Sequence, residues 1–134
     1  MLIFLLNALK VIFVLGFLVL IHEGGHFTVA KLCKVTVNEF SIGFGPVIWK
    51  KQGKETKYTI RLIPLGGFVN LEGEEGNSEK EGSFSKTSSL KKMAIIVAGA
   101  LVNIIFAVIV YYCLMLSTNK HMSFKVEDFA PLYN

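Results

Sequence analysis

The sequence predicts a mainly α-helical membrane protein, with two transmembrane helices and a membrane-associated β-hairpin region between them on the cytoplasmic side. Three observations lead to this fold class. Of the 134 residues, 52% are hydrophobic, and the excess is concentrated in two stretches. Each stretch exceeds the roughly 20 residues that a helix needs to cross a bilayer core. The segment between them contains short β-prone runs and carries most of the basic residues.

The 14 Lys and Arg residues are distributed unevenly around the two apolar stretches. None precedes Lys10, and only Lys120 and Lys125 follow the second stretch. An excess of basic residues marks the cytoplasmic side, so we expect a multi-pass protein of the cell inner (plasma) membrane with both termini extracytoplasmic. Anionic lipid headgroups account for the net charge of +4, and no motif supports a nucleic-acid partner.

The first predicted transmembrane helix covers residues 1–33 and contains the motif His22-Glu23-Gly24-Gly25-His26. Histidines four residues apart project from one face of a helix and are able to bind one Zn²⁺ ion. Glu23 follows the first histidine and is the candidate general base, because it would stand beside a metal-activated water. The alternative is a set of polar residues that line a bundle or a water-filled cavity without a metal.

Residues 34–70 are predicted to form the β-hairpin region, with residues 47–49 and 58–63 as its strands. Gly43 and Gly45, followed by a proline, predict a tight turn that ends regular structure. The region is unusually apolar for a cytoplasmic loop, so we expect it to lean into the membrane beside the first helix.

An open edge of this hairpin would accept an unwound substrate segment by strand addition. The candidate substrate-binding residues here are the glycines of the turns and two strand residues. They are Gly43, Gly45, Ile60, Leu62, Gly66 and Gly67. An ordinary surface hairpin remains the alternative.

Residues 71–92 are predicted to be a polar cytoplasmic linker, because acidic residues alternate there with glycine, serine and lysine. The second transmembrane helix covers residues 93–116 and places Asn103 near the middle of the bilayer. An amide at that depth needs a partner, which is either another helix or a substrate backbone. Residues 117–134 are expected to be an extracytoplasmic tail.

Taken in order, these motifs resemble those of the site-2 intramembrane zinc metalloproteases, and most closely the bacterial regulator-of-sigma-E protease type. The matching pieces are residues 22–27, 40–46 and 64–69, Phe84, and Ala98-Gly99-Ala100 with Asn103. The resemblance implies that His22 and His26 bind zinc, that Glu23 is the general base, and that Asn103 helps to hold the substrate. It also implies a transmembrane protein substrate, such as an anti-sigma factor, and the start of a PDZ domain in the tail of residues 117–134.

This chain lacks one element of that family pattern. The third zinc ligand of the family is an Asp in a Leu-Asp-Gly motif on a later membrane helix, whereas Asp128 is the one Asp here. We therefore expect an N-terminal part of a zinc-dependent intramembrane endopeptidase, which needs the remainder of the protease for its third ligand. The alternative is a non-catalytic fragment that binds a membrane substrate or acts as a scaffold.

Overall fold

Two long helices flank a two-stranded antiparallel hairpin, as the sequence predicts. The computed structural model of the protein describes residues 1–76 and 78–119. The elements in chain order are α1 (Leu2–Leu32), β1 (Val37–Gln52), β2 (Lys57–Leu71) and α2 (Ser89–Asn119). The predicted tail begins at residue 117, and its part after Asn119 lies outside the described residues.

Both helices are long and apolar enough to cross a membrane. The spans Leu2–Leu32 and Ser89–Ser117 have mean hydropathies of 2.6 and 2.8. A helix of 31 residues is about 46 Å long at its usual rise, which exceeds a bilayer core of about 30 Å. The chain divides into two units, Met1–Asn103 and Ile104–Asn134, and the site described below lies entirely in the first.

The end of α1 is fixed by a Schellman motif. The amide N–H of Val35 donates to the carbonyl of Ala30 at 2.9 Å, and that of Lys34 donates to Lys31 at 3.0 Å. Lys34 has a φ of 62°, a left-handed conformation that glycine usually adopts at this position. Val35 and Ala30 then pack together in the core, so the chain leaves α1 in a defined direction toward β1.

The hairpin is longer than the sequence indicated and is folded back on itself. β1 and β2 pair from Val37–Leu71 at one end to Gln52–Lys57 at the other. Ser41 pairs with Phe68 on one side and with Thr59 on the other. From the pair Glu39–Lys57 to the pair Ile42–Ile60, the residue numbers increase in the same direction along both segments, so these two segments run parallel. The first half of β1 therefore lies between the two halves of β2.

The predicted tight turn at Gly43 and Gly45 is wrong, because β1 continues through both residues. Their φ angles are 84° and 85°, and the strand register shifts at this point, which is how a bulge bends a strand without ending it. Gly66 in β2 has a φ of 86°, so both strands bend. Pairing with residues distant in the chain continues β1 through the positions where the local sequence predicts that the strand ends.

A cluster of polar side chains stabilises the folded-back hairpin. We call it the Glu39–Arg61 cluster, and it consists of Glu39, Ser41, Lys57, Thr59 and Arg61. Arg61 donates to Ser41 Oγ at 2.9 Å and to a carboxylate oxygen of Glu39 at 3.2 Å. Burial raises the pKa of Glu39, but hydrogen bonds from Thr59, Lys57 and Arg61 outweigh it, so the pKa lies below its ordinary value. Paired charges thus join the first half of β1 to the first half of β2.

The hydrophobic core lies where α1 ends, the hairpin opens and α2 begins. Its buried members are Ala30, Val35, Val37, Leu71 and Ile95. Side chains from all four elements and from the connection between α1 and β1 meet here, so this core holds the start of α2 against the end of α1.

The connection from β2 to α2 is more ordered than a solvated linker. Ser83 is 1% exposed, and Phe84 packs against the core. The main-chain N–H of Thr36 donates to Gly82 at 2.9 Å, and that of Phe84 donates to Glu72 at 2.7 Å. The composition of this segment is polar, but its backbone hydrogen bonds tie it to the start of β1.

Candidate functional site

The two histidines of α1 lie side by side, one helical turn apart. The Nε2 atoms of His22 and His26 are 3.2 Å apart. The rings meet edge to face, with their centroids 4.8 Å apart and their planes at 81°. Because both Nε2 atoms point to the same place, the pair is arranged as two ligands of one ion would be.

α2 contacts both imidazoles along one face. Ile95, Gly99 and Asn103 are four residues apart and therefore share a face of the helix. The carbonyl oxygen of Ile95 accepts a hydrogen bond from Nδ1 of His26 at 2.7 Å. The amide nitrogen of Asn103 lies 3.3 Å from Nδ1 of His22. Each imidazole is thus held by α2 at the nitrogen opposite Nε2.

Two glycines permit this close contact between the helices. A Cβ atom at Gly25 would lie 2.8 Å from the carbonyl oxygen of Ala98. A Cβ atom at Gly99 would lie 2.5 Å from Nε2 of His26 and 2.8 Å from Nε2 of His22. A side chain added at either position would require the helices or the rings to shift. Gly24, by contrast, has no atom within 4 Å of its Cβ position, so the contact depends on Gly25.

Glu23 and the end of β2 form a cavity beside the histidines. A Cβ atom at Gly67 would lie 3.2 Å from Cγ of Glu23, so the strand passes close to the carboxylate. The cavity has a volume of about 320 Å³ and contains both polar and apolar wall residues. Its lining comprises Glu23, His26, Gly67, Phe68, Val69, Leu71, Glu74, Phe84, Ile95 and Ile96.

The geometry of the histidine pair fits a zinc ion. Zn–N bonds of about 2.0–2.1 Å at a tetrahedral angle place two nitrogens roughly 3.3 Å apart. The observed 3.2 Å agrees with that distance. No group of three metal-ligating side chains occurs within residues 1–76 and 78–119. The described residues thus contain two candidate ligands and an adjacent carboxylate.

The structure brings some predicted substrate-binding residues to the site and keeps others away from it. Gly67 lines the cavity, and Asn103 contacts His22. Gly43, Gly45 and Gly66 lie at the bends of the hairpin, and Leu62 is 60% exposed outside the cavity lining.

Ile60 does not lie at an open edge of the sheet. It is partnered by Ile42 on one side and Trp49 on the other. The folding back of the hairpin causes this difference, because it adds a second neighbour to the first half of β2. Phe68 and Val69 each have one pairing partner among the described residues, Ser41 and Phe40 of β1, so the edge beside Glu23 lies there.

Sequence reasoning missed two contributors on α2. Gly99 stood within a run of small residues that indicated helix contact, but nothing tied it to the histidines. The carbonyl of Ile95 carries no side-chain signal at all. The spacing of Ile95, Gly99 and Asn103 by four residues was the available sign that all three face one partner.

Comparison with known proteins gives consistent results along most of the chain. Residues 10–132 match the model of peptidase family M50. The Protease RseP of Yersinia pestis is 37% identical over 122 residues, which are 87% of this chain and 27% of that protein.

Two further relatives carry names that assign them provisionally to the zinc metalloproteases. The protein from Clostridium acetobutylicum is 43% identical over 105 residues, 78% of this chain and 31% of the relative. The protein from Fusobacterium nucleatum is 43% identical over 98 residues, 73% of this chain and 29% of the relative. The chain spans about a third of the length of the curated relatives it matches.

Proposed function

This chain belongs to peptidase family M50, and we propose that it supplies the His22–Glu23–His26 part of a zinc-dependent intramembrane endopeptidase of the site-2 type. Its substrates would be transmembrane segments of membrane-anchored regulators, such as anti-sigma factors. The observation that carries the proposal is the pair of Nε2 atoms 3.2 Å apart, next to a carboxylate that lines the same cavity.

In this proposal each residue of the motif has one role. His22 and His26 hold the zinc ion, and the remainder of the protease supplies the third ligand. Zinc, when bound, would polarise the scissile carbonyl and make water a better nucleophile at neutral pH. Glu23 takes the proton of the attacking water and passes it to the leaving amine, as a positioned carboxylate does in general acid–base catalysis.

The edge at Phe68 and Val69 is the proposed place for the substrate backbone. A helical substrate hides its peptide bonds, so the segment must unwind before cleavage. An extended segment would pair with this edge by strand addition and pass Glu23 and His26 along the cavity. Gly67 leaves room for that approach because it has no side chain. A role for Asn103 as a direct substrate contact remains a prediction.

The proposed location is the cell inner membrane, with the hairpin on the cytoplasmic side and the bilayer as a second partner. Exposed apolar side chains of the hairpin support contact with lipid. They are Phe44, Val47, Ile48, Trp49, Leu62, Ile63 and Leu65. Membrane-impermeant labelling of single cysteines at Lys51 and at Leu2, in a chain with Cys33 and Cys113 replaced by serine, tests this topology, with opposite accessibility expected at the two positions.

A non-catalytic membrane module is the second candidate function. It is favoured by the lack of a third metal-ligating side chain near His22 and His26 within the described residues. Such a chain would bind a substrate helix without hydrolysing it.

Zinc content and cleavage together test the proposal. The detergent-purified chain, supplemented with the C-terminal part of a family relative, should contain about one zinc ion, and His22→Ala and His26→Ala should each abolish it. Cleavage of a tagged single-span membrane protein should require Glu23, in reactions supplemented with the C-terminal part of a family relative. Substrate binding without any Glu23-dependent cleavage would favour the non-catalytic module instead.

A further inference from the structure

We propose that Asn103 is a positioning residue that selects the tautomer of His22 required for metal binding. The proposal rests on the metal-binding role proposed above for His22 and His26. It assigns the non-ligating nitrogen of each imidazole to an acceptor on α2. The acceptor is the carbonyl of Ile95 for His26 and the amide oxygen of Asn103 for His22.

The tautomer of His26 follows from its contact with Ile95. A carbonyl oxygen has no hydrogen to donate, so the 2.7 Å contact requires a proton on Nδ1 of His26. A neutral imidazole with that proton carries its lone pair on Nε2. Ligating histidines usually donate their other N–H in this way, which fixes the ring and raises its basicity.

His22 has two hydrogen-bonding arrangements with Asn103. When the amide nitrogen faces the ring, it donates to Nδ1 at 3.3 Å, and the proton of His22 then lies on Nε2. That proton points toward Nε2 of His26 at 3.2 Å, so the two imidazoles pair with each other and His22 has no lone pair for an ion. When the amide oxygen faces the ring, it accepts the Nδ1 proton, and both Nε2 lone pairs are directed at one point.

The amide of Asn103 is free to change between these arrangements. A rotation of 180° exchanges its donor and its acceptor without changing its shape. Its Oδ1 atom is buried and has no hydrogen-bond partner among the residues that the structure describes. Rotation therefore breaks no second hydrogen bond within this part of the chain. An amide that merely joined two helices would have both ends paired.

The test combines nitrogen NMR with zinc titration of the detergent-solubilised chain. Long-range proton–nitrogen spectra identify which ring nitrogen of each labelled histidine carries the proton. Titration against a competing chelator gives the zinc affinity. The variants are Asn103→Leu, which cannot hydrogen-bond, and Asn103→Asp, which accepts. Asn7→Leu makes the same chemical change at an exposed position of α1 and is the matched control.

We expect zinc-loaded His22 to carry its proton on Nδ1. Asn103→Leu should weaken zinc binding about 10- to 100-fold, the usual cost of losing the partner of a ligating histidine. Asn103→Asp should keep an affinity close to that of the unmodified chain, and Asn7→Leu should change nothing. Unchanged affinity in Asn103→Leu, or a zinc-loaded His22 with its proton on Nε2, would overturn the proposal.

The same spectra separate this inference from the proposed function. If the unmodified chain binds no zinc, the metal-binding role fails for this chain, but the role of Asn103 is still tested without metal. Asn103→Asp should then move the proton of His22 from Nε2 to Nδ1, because a carboxylate has no N–H to donate. His22 resonances that do not respond to Asn103→Asp would show that Asn103 does not control the tautomer.

Discussion

The Glu39–Arg61 cluster and the histidine pair, two polar regions of this largely apolar chain, differ in how completely their polar atoms are paired. In the Glu39–Arg61 cluster, Arg61 donates to Ser41, to Glu39 and to the carbonyl of Gly45 at 3.0 Å. Glu39 accepts from Arg61, Lys57 and Thr59. At the histidine pair, two acceptor-capable nitrogens face each other, and Oδ1 of Asn103 has no partner in the described part of the chain.

We expect this difference between a cluster that stabilises the fold and a site that binds a ligand. Half-buried charges that satisfy each other hold a fold together and leave nothing for a ligand. Lone pairs that converge on one point are costly unless something binds there. The following predictions test whether the two clusters have separate roles. A substitution at the histidine site should change zinc binding or cleavage, and one in the Glu39–Arg61 cluster should change the stability of the fold.

The largest effect is expected from Glu23→Gln. Loss of the general base should reduce cleavage of the membrane substrate by about 10²- to 10⁴-fold, because proton transfer is then unassisted. Zinc content and thermal stability should not change. The control is Glu81→Gln, which alters an exposed carboxylate in the connection between β2 and α2. An unaltered cleavage rate in Glu23→Gln would remove the proposed role of this residue.

A smaller effect is expected from Gly99→Ala, measured as zinc affinity. The added methyl group would lie 2.5–2.8 Å from the two ring nitrogens, so the rings or helices must move. Overpacking of this kind costs about 1–3 kcal/mol, which corresponds to a loss of roughly 5- to 150-fold in affinity.

Gly24→Ala is the matched control for that substitution. No atom lies within 4 Å of its Cβ position, so zinc affinity should be unchanged. Alanine should also stabilise α1 by up to about 1 kcal/mol relative to glycine. Equal zinc affinities in the two alanine variants would contradict the described contact between Gly99 and the histidines.

Arg61→Met should show the opposite pattern, with loss of stability and no loss of zinc. The substitution removes charged hydrogen bonds to Glu39, whose side chain is 18% exposed, and should cost about 1.5–3 kcal/mol of unfolding free energy. Denaturant unfolding in detergent measures this change. Stability equal to that of the unmodified chain would mean that the cluster does not hold the hairpin in its folded-back form.

The smallest effect is a pH dependence that comes from Glu39. Its pKa in the folded protein lies below the ordinary 4.5, so its stabilising contribution is present above pH 4.5 and is lost as the pH falls through the lower folded value. Glu39→Gln should flatten that part of the acid unfolding profile. An identical profile in Glu39→Gln would assign the acid sensitivity to other carboxylates.

Local sequence pattern was sufficient for the helices and for the centre of the site. An apolar run with a two-histidine motif at helical spacing predicts both α1 and the pairing of His22 with His26. The run from Met93 onward likewise predicts the second helix, although α2 starts earlier, at Ser89.

The remainder depends on contacts between residues that are distant in the chain. The bends at Gly43 and Gly45 look like turns until the second neighbour of β1 is known. The burial of Ser83 depends on backbone hydrogen bonds with the start of β1. The contacts of Ile95 and Asn103 depend on the rotation of α2 against α1, for which the four-residue spacing of Ile95, Gly99 and Asn103 is a sign but does not identify the histidines as the partner.

The contact at Gly25 has a mechanical consequence for substrate tolerance. Because the backbones of α1 and α2 touch there, the distance between them is set by main-chain dimensions rather than by side-chain rotamers. The wall at Ile95, next to this contact, is therefore stiff, whereas Phe68 in another part of the lining has a single pairing partner in β1. Side chains of different size in the proposed substrate would be accommodated by displacement of the sheet edge. The distance between the two imidazoles would then stay constant while the substrate varies.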